Sequence, residues 1–408
     1  MNFKVACIGN MNNNMFSLVR YLRDFKVDAD LFLFNKEIEH FSPLNDTFDS
    51  NHSYIKKLNW GSNARKLFLP GTPGKVREDF KQYDVLIGCG VAPAFLERAG
   101  LKLHIFMPYG ADLYSVPFLP ARPITRRMPA KLILAYYQKR GIRNSLLTTA
   151  PVVVKCWSKA IETLGIKHYP ILYPMVYCPE YNNLNFKKSS LQYSQSFLQI
   201  RSNYDVVVFN HSRQIWKTFI DDVSFKGNDV LIRGFADYVK RGTKKAVLVL
   251  FEYGIDVIES KKLISQLNIE DSVIWMPKMP RKEILFGLSL ADFGSDQFIV
   301  GDGGGGTCWE VMATGKPVFV YFANNQEEFS ALNMGKPFPP IINVKAPDEI
   351  VNHLLDFEKQ PDYYKKLGEK AKNWYSNYMG KGLAEKYVYL VKTIAAGEEI
   401  DPKKLRFD

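Results

Sequence analysis

The sequence predicts an α/β protein built as two doubly wound, Rossmann-like domains facing a cleft. Three observations lead there. Short apolar segments alternate with amphipathic ones in both halves of the chain, which is the pattern of parallel βαβ units. A polar interval without sustained period, residues 181–203, separates the two series. In the second series the stretch IVGDGGGGTCWEVMATGKPVFVY, residues 299–321, sets four consecutive glycines directly before a helical pattern and follows it with a short apolar strand. A chain of 408 residues is long enough for two or three well-packed domains.

The elements follow in order. In the N-terminal half KVACIG, ADLFLF, DVLIGC and KLHIFM are short, apolar and bounded by turn residues, so each reads as a buried strand. MFSLVRYLRDF and PAFLERAG carry helical periodicity, as does KCWSKAIETLGI further on. HYPILYPMVYCPEY reads as a strand leaving through a Pro/Tyr-rich exit. The second series opens with DVVVFN (strand), NDVLIRGFADYVKRG (helix), KAVLVLF (strand) and DVIESKKLISQL (helix). It continues with SVIWM (strand), RKEILFGLSLA (helix), DFGSD (short strand), the glycine loop with its helix, and PVFVYF. From Asp362 onward the composition is helical. The expected organisation is a first Rossmann-like domain over 1–180, a linker over 181–203, a second Rossmann-like domain over 204–375 and a helical tail over 376–408. The C-terminal helices are in a position to cross back to the first domain.

The composition excludes several classes. No apolar run approaches the roughly 18–20 residues of a spanning helix, and MNFKVACIGN reads as a first buried strand and not as a signal peptide. These features lead us to expect a cytoplasmic protein. Five scattered cysteines, odd in number and without C-x-x-C spacing, argue against a disulfide framework and a zinc site, and the six histidines form no H-E-x-x-H. No metal and no bound cofactor are expected.

Lys plus Arg (54) exceed Asp plus Glu (42) by 12, so anionic partners are favoured. Between Arg122 and Arg143 stand seven basic residues and no acid, interleaved with LILAYY. That composition suits peripheral contact with an anionic membrane on its inner face, and it equally suits a solvated helix packing its apolar residues inward. No recognised nucleic-acid module accompanies the charge, so nucleic acid is not expected as a partner.

The glycine loop is the sharpest chemical feature. Four glycines let main-chain N–H groups approach a ligand closely, and a helix starting near Thr307 would aim its unpaired amides at an anion. Asp302 and Glu310 bracket the loop with seven residues between them. Carboxylates repel phosphate but accept hydrogen bonds from hydroxyls, so diphosphate and sugar hydroxyls together suggest a nucleotide sugar. A surface loop beside a core helix is the simpler alternative. A dinucleotide site is another, since Gly301, Gly303 and Gly306 formally satisfy G-x-G-x-x-G, but no acidic residue follows in PVFVYFANN. Arg213 and Lys226, after the first strand of the second series, could reach a diphosphate held by the loop.

Together Ser212-Arg213, the run KGNDVLI at 226–232, D-x7-E from Asp302 to Glu310 and EVMATGKPV at 310–318 resemble the donor half of the GT-B glycosyltransferases. The likeness is greatest to family 4, a retaining group whose pattern reads E-x7-E followed by A-M-A-x-G-x-P-V. The resemblance implies an enzyme that takes a UDP- or GDP-linked sugar donor and passes the sugar to a glycan or lipid-linked acceptor in cell-surface glycan biosynthesis. It implies that Glu310 binds ribose hydroxyls and that the backbone of Gly303, Gly304, Gly305, Gly306 and Thr307 binds the diphosphate. Arg213 and Lys226 would then stabilise the leaving group, and Asp302 would contact the donor sugar. In PYGADLY, residues 108–114, it places Gly110 and Asp112 near the reacting centre, with Gly9 and Asn10 facing the cleft from the acceptor side.

Three features depart from the pattern. Asp302 is one methylene shorter than the usual glutamate, Tyr109 stands where histidine is usual, and the interval from Arg213 to Lys226 is long, which makes Lys217 an alternative working lysine. A nucleotide-sugar epimerase of the same fold and a non-catalytic nucleotide-sugar binder are the competing functions.

Overall fold

The computed structural model describes residues 3–35, 41–61, 63–118, 128–150, 155–182, 190–221, 224–301 and 303–408. Asp302, Asp222, Arg122, Arg126 and Arg127 lie outside the described residues, as do 183–189 of the expected linker.

Each half folds around a wholly parallel sheet. The first contains β1 (Lys4–Ile8), β2 (Asp28–Phe34), β3 (Ile55–Leu58), β4 (Val85–Gly88), β5 (Ile105–Phe106), β6 (Leu147–Thr149) and β7 (His168–Tyr169), in the order β3-β2-β1-β4-β5-β6-β7. The second contains β8 (Val206–Asn210), β9 (Ala246–Phe251), β10 (Val273–Met276), β11 (Phe293–Ser295), β12 (Val318–Val320) and β13 (Ile342–Asn343), in the order β10-β9-β8-β11-β12-β13. Central strands such as β1, β8 and β9 are apolar almost throughout because helices cover both faces of a parallel sheet. The strand order reverses beside β1 in the first sheet and beside β8 in the second. Ligands bind at such crevices, outside the carboxyl ends of the strands.

The first domain's helices are α1 (Asn14–Asp24), α2 (Thr72–Phe80), α3 (Ala92–Ala99), α4 (Ala111–Tyr114), α5 (Met128–Asn144) and α6 (Lys155–Leu164). After the crossing come α7 (Ser194–Asn203), α8 (Asn228–Arg241), α9 (Val257–Gln266), α10 (Arg281–Leu290), α11 (Gly306–Ala313), α12 (Gln326–Leu332) and α13 (Pro347–Lys359). The chain closes with α14 (Pro361–Tyr378) and α15 (Lys381–Ala395).

Helix α7 lies in the interval read from sequence as an aperiodic linker. Its buried residues Phe197 and Ile200 are three apart, one step along a helix face, and the Phe197 ring packs against Phe286 of α10. Glu283 of α10 fixes the approach, its carboxylate accepting from the amides of Gln192 (2.7 Å) and Tyr193 (3.2 Å). Strands β3 and β6 were also not anticipated. IKKL carries two lysines on an edge strand and LTT is short and polar, so neither gives an apolar run.

The two C-terminal helices reach residues of the first domain. Tyr387 of α15 donates to Leu172 O (2.8 Å) and lies 3.1 Å from Thr149 Oγ1, and Tyr375 of α14 accepts from the amide of Val176 (2.9 Å). Trp374 of the same helix stacks on Trp309 of α11, with ring centroids 5.7 Å apart.

Beneath α1 a buried ion cluster ties loop 41–47 to the exit of the first domain. Arg20 meets Asp46 at 2.7 Å and Glu180 at 3.5 Å, and its guanidinium lies over the Phe16 and Tyr177 rings. Asp46 is fully buried and also accepts from Tyr181 (2.7 Å). Removing one partner of such a pair strands the other charge away from water. Arg20→Met is expected to lower stability by roughly 3 kcal/mol, read as a fall in the midpoint of urea denaturation with unchanged slope.

Candidate functional site

The crevices at the two strand-order reversals open onto one cavity of about 700 Å³. From the first domain it is lined by Met11 to Asn14, Tyr109, Trp157, Tyr173 and Met175. From the second it is lined by His211 to Arg213, Lys226, Arg281, Asp296, Gln297, Gly303 to Thr307 and Glu310. The expected glycine loop, Arg213, Lys226 and Glu310 therefore share one wall.

The loop after β1 is shaped by close packing. Gly9 has φ +87°, and a Cβ there would stand 2.6 Å from Cys89 Sγ. Asn10 is buried and braces the turn, its side chain accepting from the amide of Phe16 (3.1 Å) and donating to Asn13 Oδ1 (2.7 Å) and Phe41 O (2.8 Å). Gly9 and Asn10, expected to face the cleft, instead support Met11 to Asn14, which do. Asn12 and Asn13 hold left-handed backbone conformations, which asparagine tolerates better than most residues.

Asp112 is likewise placed behind the wall. It is 2% exposed, and its carboxylate accepts from the amides of Gly90 (2.8 Å), Tyr109 (3.1 Å) and Gly110 (2.9 Å). Burial pushes its pKa up to about 7 against the pull of those amides. The carboxyl group staples the loops after β4 and β5, so Tyr109, and not Asp112, is what this segment shows to the cavity.

On the opposite wall the start of α11 departs from the expected anion cradle. Asp296, at the carboxyl end of β11, accepts from the amides of Gly305 (2.6 Å) and Cys308 (3.3 Å). Two of the helix's N-terminal donors are thus taken by a carboxylate of the protein itself, while Gly304, Gly306 and Thr307 line the cavity beside them. Gln297 donates to Gly303 O (2.7 Å), and its side-chain oxygen accepts from Lys226 (3.2 Å), so the lysine is tied to the glycine loop. The alternative Lys217 is exposed, pairs with Glu259 and does not line the cavity.

Glu310 is held from two sides. Arg281 Nε donates to Oε1 (2.7 Å), and His211 Nε2 lies 2.8 Å from Oε2. Burial alone would raise this carboxyl's pKa, but Arg281 and His211 bring it down to about 2, so Glu310 is an anion at neutral pH. Arg281 also donates to Asn12 O (2.7 Å) and Met175 O (3.0 Å) of the first domain. His211, Arg281, Asp296 and Gln297 were not singled out from sequence. Asp296 ends the predicted strand DFGSD, Gln297 follows it and His211 follows DVVVFN, so all three could have been found at strand ends. Arg281 opens an ordinary amphipathic helix, and its role appears only once the domains are packed.

A family model described as glycosyl transferases group 1 matches residues 221–374. No curated protein matches the sequence. Among solved structures, Anabaena HepE in complex with UDP and glucose aligns with a TM-score of 0.57 at 14% identity, covering 96% of this chain and 100% of that one. A glycosyltransferase from Rickettsia africae aligns at 0.59 and 13% identity, over 98% and 100% of the two chains. The UDP-GlcNAc 2-epimerase of Neisseria meningitidis bound to UDP-GlcNAc aligns at 0.52 and 13% identity, over 96% and 100%. At these identities the structures establish the shared fold. The family model adds that residues 221–374, most of the second domain, resemble the glycosyl transferases group 1.

Proposed function

We propose that the protein is a retaining transferase that moves a sugar from a nucleoside diphosphate to a glycan or lipid-linked acceptor in cell-surface glycan biosynthesis. The observation that carries this reading is the division of charge across the cavity. Arg213, Lys226 and the glycine loop share the second-domain wall with an ionised Glu310, whereas the described first-domain lining consists of aromatic, aliphatic and amide side chains.

On this reading Glu310 accepts from the ribose hydroxyls, and Arg213 and Lys226 meet the diphosphate alongside the amides near Gly304, Gly306 and Thr307. As the glycosyl–phosphate bond breaks, negative charge grows on the leaving phosphate, and cations already fixed beside it stabilise that charge without reorganising. The departing phosphate itself takes the acceptor proton on the same face of the sugar, with an oxocarbenium-like transition state. Asp302 is assigned to the donor sugar. Tyr109, Trp157 and Tyr173 offer aromatic faces to the acceptor. The complexes of Anabaena HepE with UDP and glucose favour uridine over guanosine as the base.

We also propose that the first domain touches an anionic membrane through α5. Lys131, Leu132, Tyr136, Arg140 and Arg143 are exposed on that helix, although Arg140 also pairs with Glu97 (2.9 Å). No helix among the described residues is long and apolar enough to cross a membrane, so contact would be peripheral.

Four measurements check these readings. UDP, or failing that GDP, is expected to raise the melting temperature, with about 2.7 kcal/mol of added stability at a hundredfold excess over Kd; nicotinamide dinucleotide is expected to have no effect. Incubation with donor alone must not yield an isomerised nucleotide sugar, since that product would favour the epimerase. Lys226→Met is expected to lower kcat by roughly a hundredfold or more and to weaken nucleotide binding less than it slows turnover; unchanged turnover would remove the lysine from the reaction. Co-sedimentation with liposomes should rise with anionic lipid and fall on Lys131→Glu/Arg143→Glu, and indifference to both would remove the membrane contact.

A further inference from the structure

The opening residues of α10 are hard to explain within their own domain. Arg281 and Lys282 put two cations at a helix N-terminus, where the helix dipole favours anions. Both are turned toward the first domain. Lys282 donates to Leu44 O (3.0 Å) and Thr47 O (3.3 Å). Arg281 donates from one planar guanidinium to Asn12 O (2.7 Å), Met175 O (3.0 Å) and Glu310 Oε1 (2.7 Å), and lies 3.6 Å from Asp46. Its side chain is 13% exposed and that of Glu310 12%.

We propose that Arg281 is a positioning residue that couples occupancy of the nucleotide site at Glu310 to closure of the two domains. The inference rests on the reading above, in which Glu310 takes the ribose. An ionised carboxylate offers about four acceptor directions. Arg281 and His211 use one on each oxygen, which leaves acceptor capacity for two ribose hydroxyls in the orientation those neighbours impose.

Opening the cleft would withdraw the carbonyls of Asn12 and Met175 together with Asp46, leaving Arg281 free to swing away from Glu310. The carboxylate would then lose the neighbour that fixes it. Closure therefore prepares the ribose site, and by thermodynamic reciprocity a bound ribose favours closure by the same factor. Lysine could supply the charge at position 281, but a single ammonium on a flexible stem cannot span acceptors in both domains in the fixed geometry of the guanidinium fork.

The test compares the full-length wild type with Arg281→Lys and Lys282→Met by small-angle scattering and by UDP and GDP titration. Lys282 has no contact with Glu310, so any effect of its loss on nucleotide binding must pass through the domain interface. The expected result is a larger radius of gyration for both variants without nucleotide. Nucleotide affinity should fall about tenfold in Arg281→Lys and two- to threefold in Lys282→Met. In Arg281→Lys, kcat should fall further than KM for the acceptor rises.

Wild-type scattering and affinity in both variants would overturn the proposal. So would an affinity loss confined to Arg281→Lys with unchanged scattering, which would make the arginine only part of the ribose pocket. If the wild type binds neither nucleotide, the transferase reading itself fails, an outcome separate from a wild type that binds and variants that do not differ.

Discussion

The ionised carboxylate of Glu310 is the constraint around which the cleft is arranged. A buried anion is tolerated only with charge and hydrogen bonds supplied to it, and here they come from Arg281 on α10 and His211 after β8. Arg281 in turn draws on carbonyls of the first domain, whose loop 41–47 is held by the buried Arg20 and Asp46 pair. One chain of charges thus runs from beneath α1, across the cavity, to the first turns of α11. The positions of His211, Glu310, Asn12 and Met175 are mutually dependent because each answers a donor or acceptor that the others leave unpaired.

That dependence explains how two separately folded sheets can present one site. Each sheet delivers loops to its own strand-order reversal by backbone topology alone, with β1 and β4 on one side and β8 and β11 on the other. Topology brings Met11 to Asn14 and His211 to Arg213 to the same gap but does not set its width. The cross-domain contacts of Arg281, Lys282, Tyr375 and Tyr387 do that. These polar contacts sit beside an apolar cluster that runs from β1 and α1 through α14 and α15 to α11.

How much of this was legible in the sequence follows from the range of each interaction. Strands buried on both faces, such as VVVFN and AVLVLF, announce themselves because their apolar run is continuous. The glycine loop and Glu310 were legible because spacing along one chain segment fixes their relation. Helix α7 was missed because it buries only one narrow face. Asp112 and Asn10 look like cleft residues in sequence because they follow strands at the right places. The chain turns back at both points, and the side chains are spent on holding the turn. Arg281 was beyond reach because its partners are distant in sequence and its own helix gives no sign of them.

The glycine run shows why a correct motif can carry a partly incorrect physical reason. From sequence, four glycines mean amides bared for a ligand. In the fold, the missing Cβ of Gly305 also makes room for the Asp296 carboxylate, which would stand 2.8 Å from it and already accepts from the Gly305 amide. The protein therefore places its own anion against the helix start and rigidifies the loop before any ligand arrives. That anion removes part of the attraction the helix terminus would offer a diphosphate and adds repulsion to it. A diphosphate on this wall then depends more on side-chain cations than a bare glycine loop would require. Lys226, tied to the loop through Gln297, and Arg213 beside it are in a position to supply that charge.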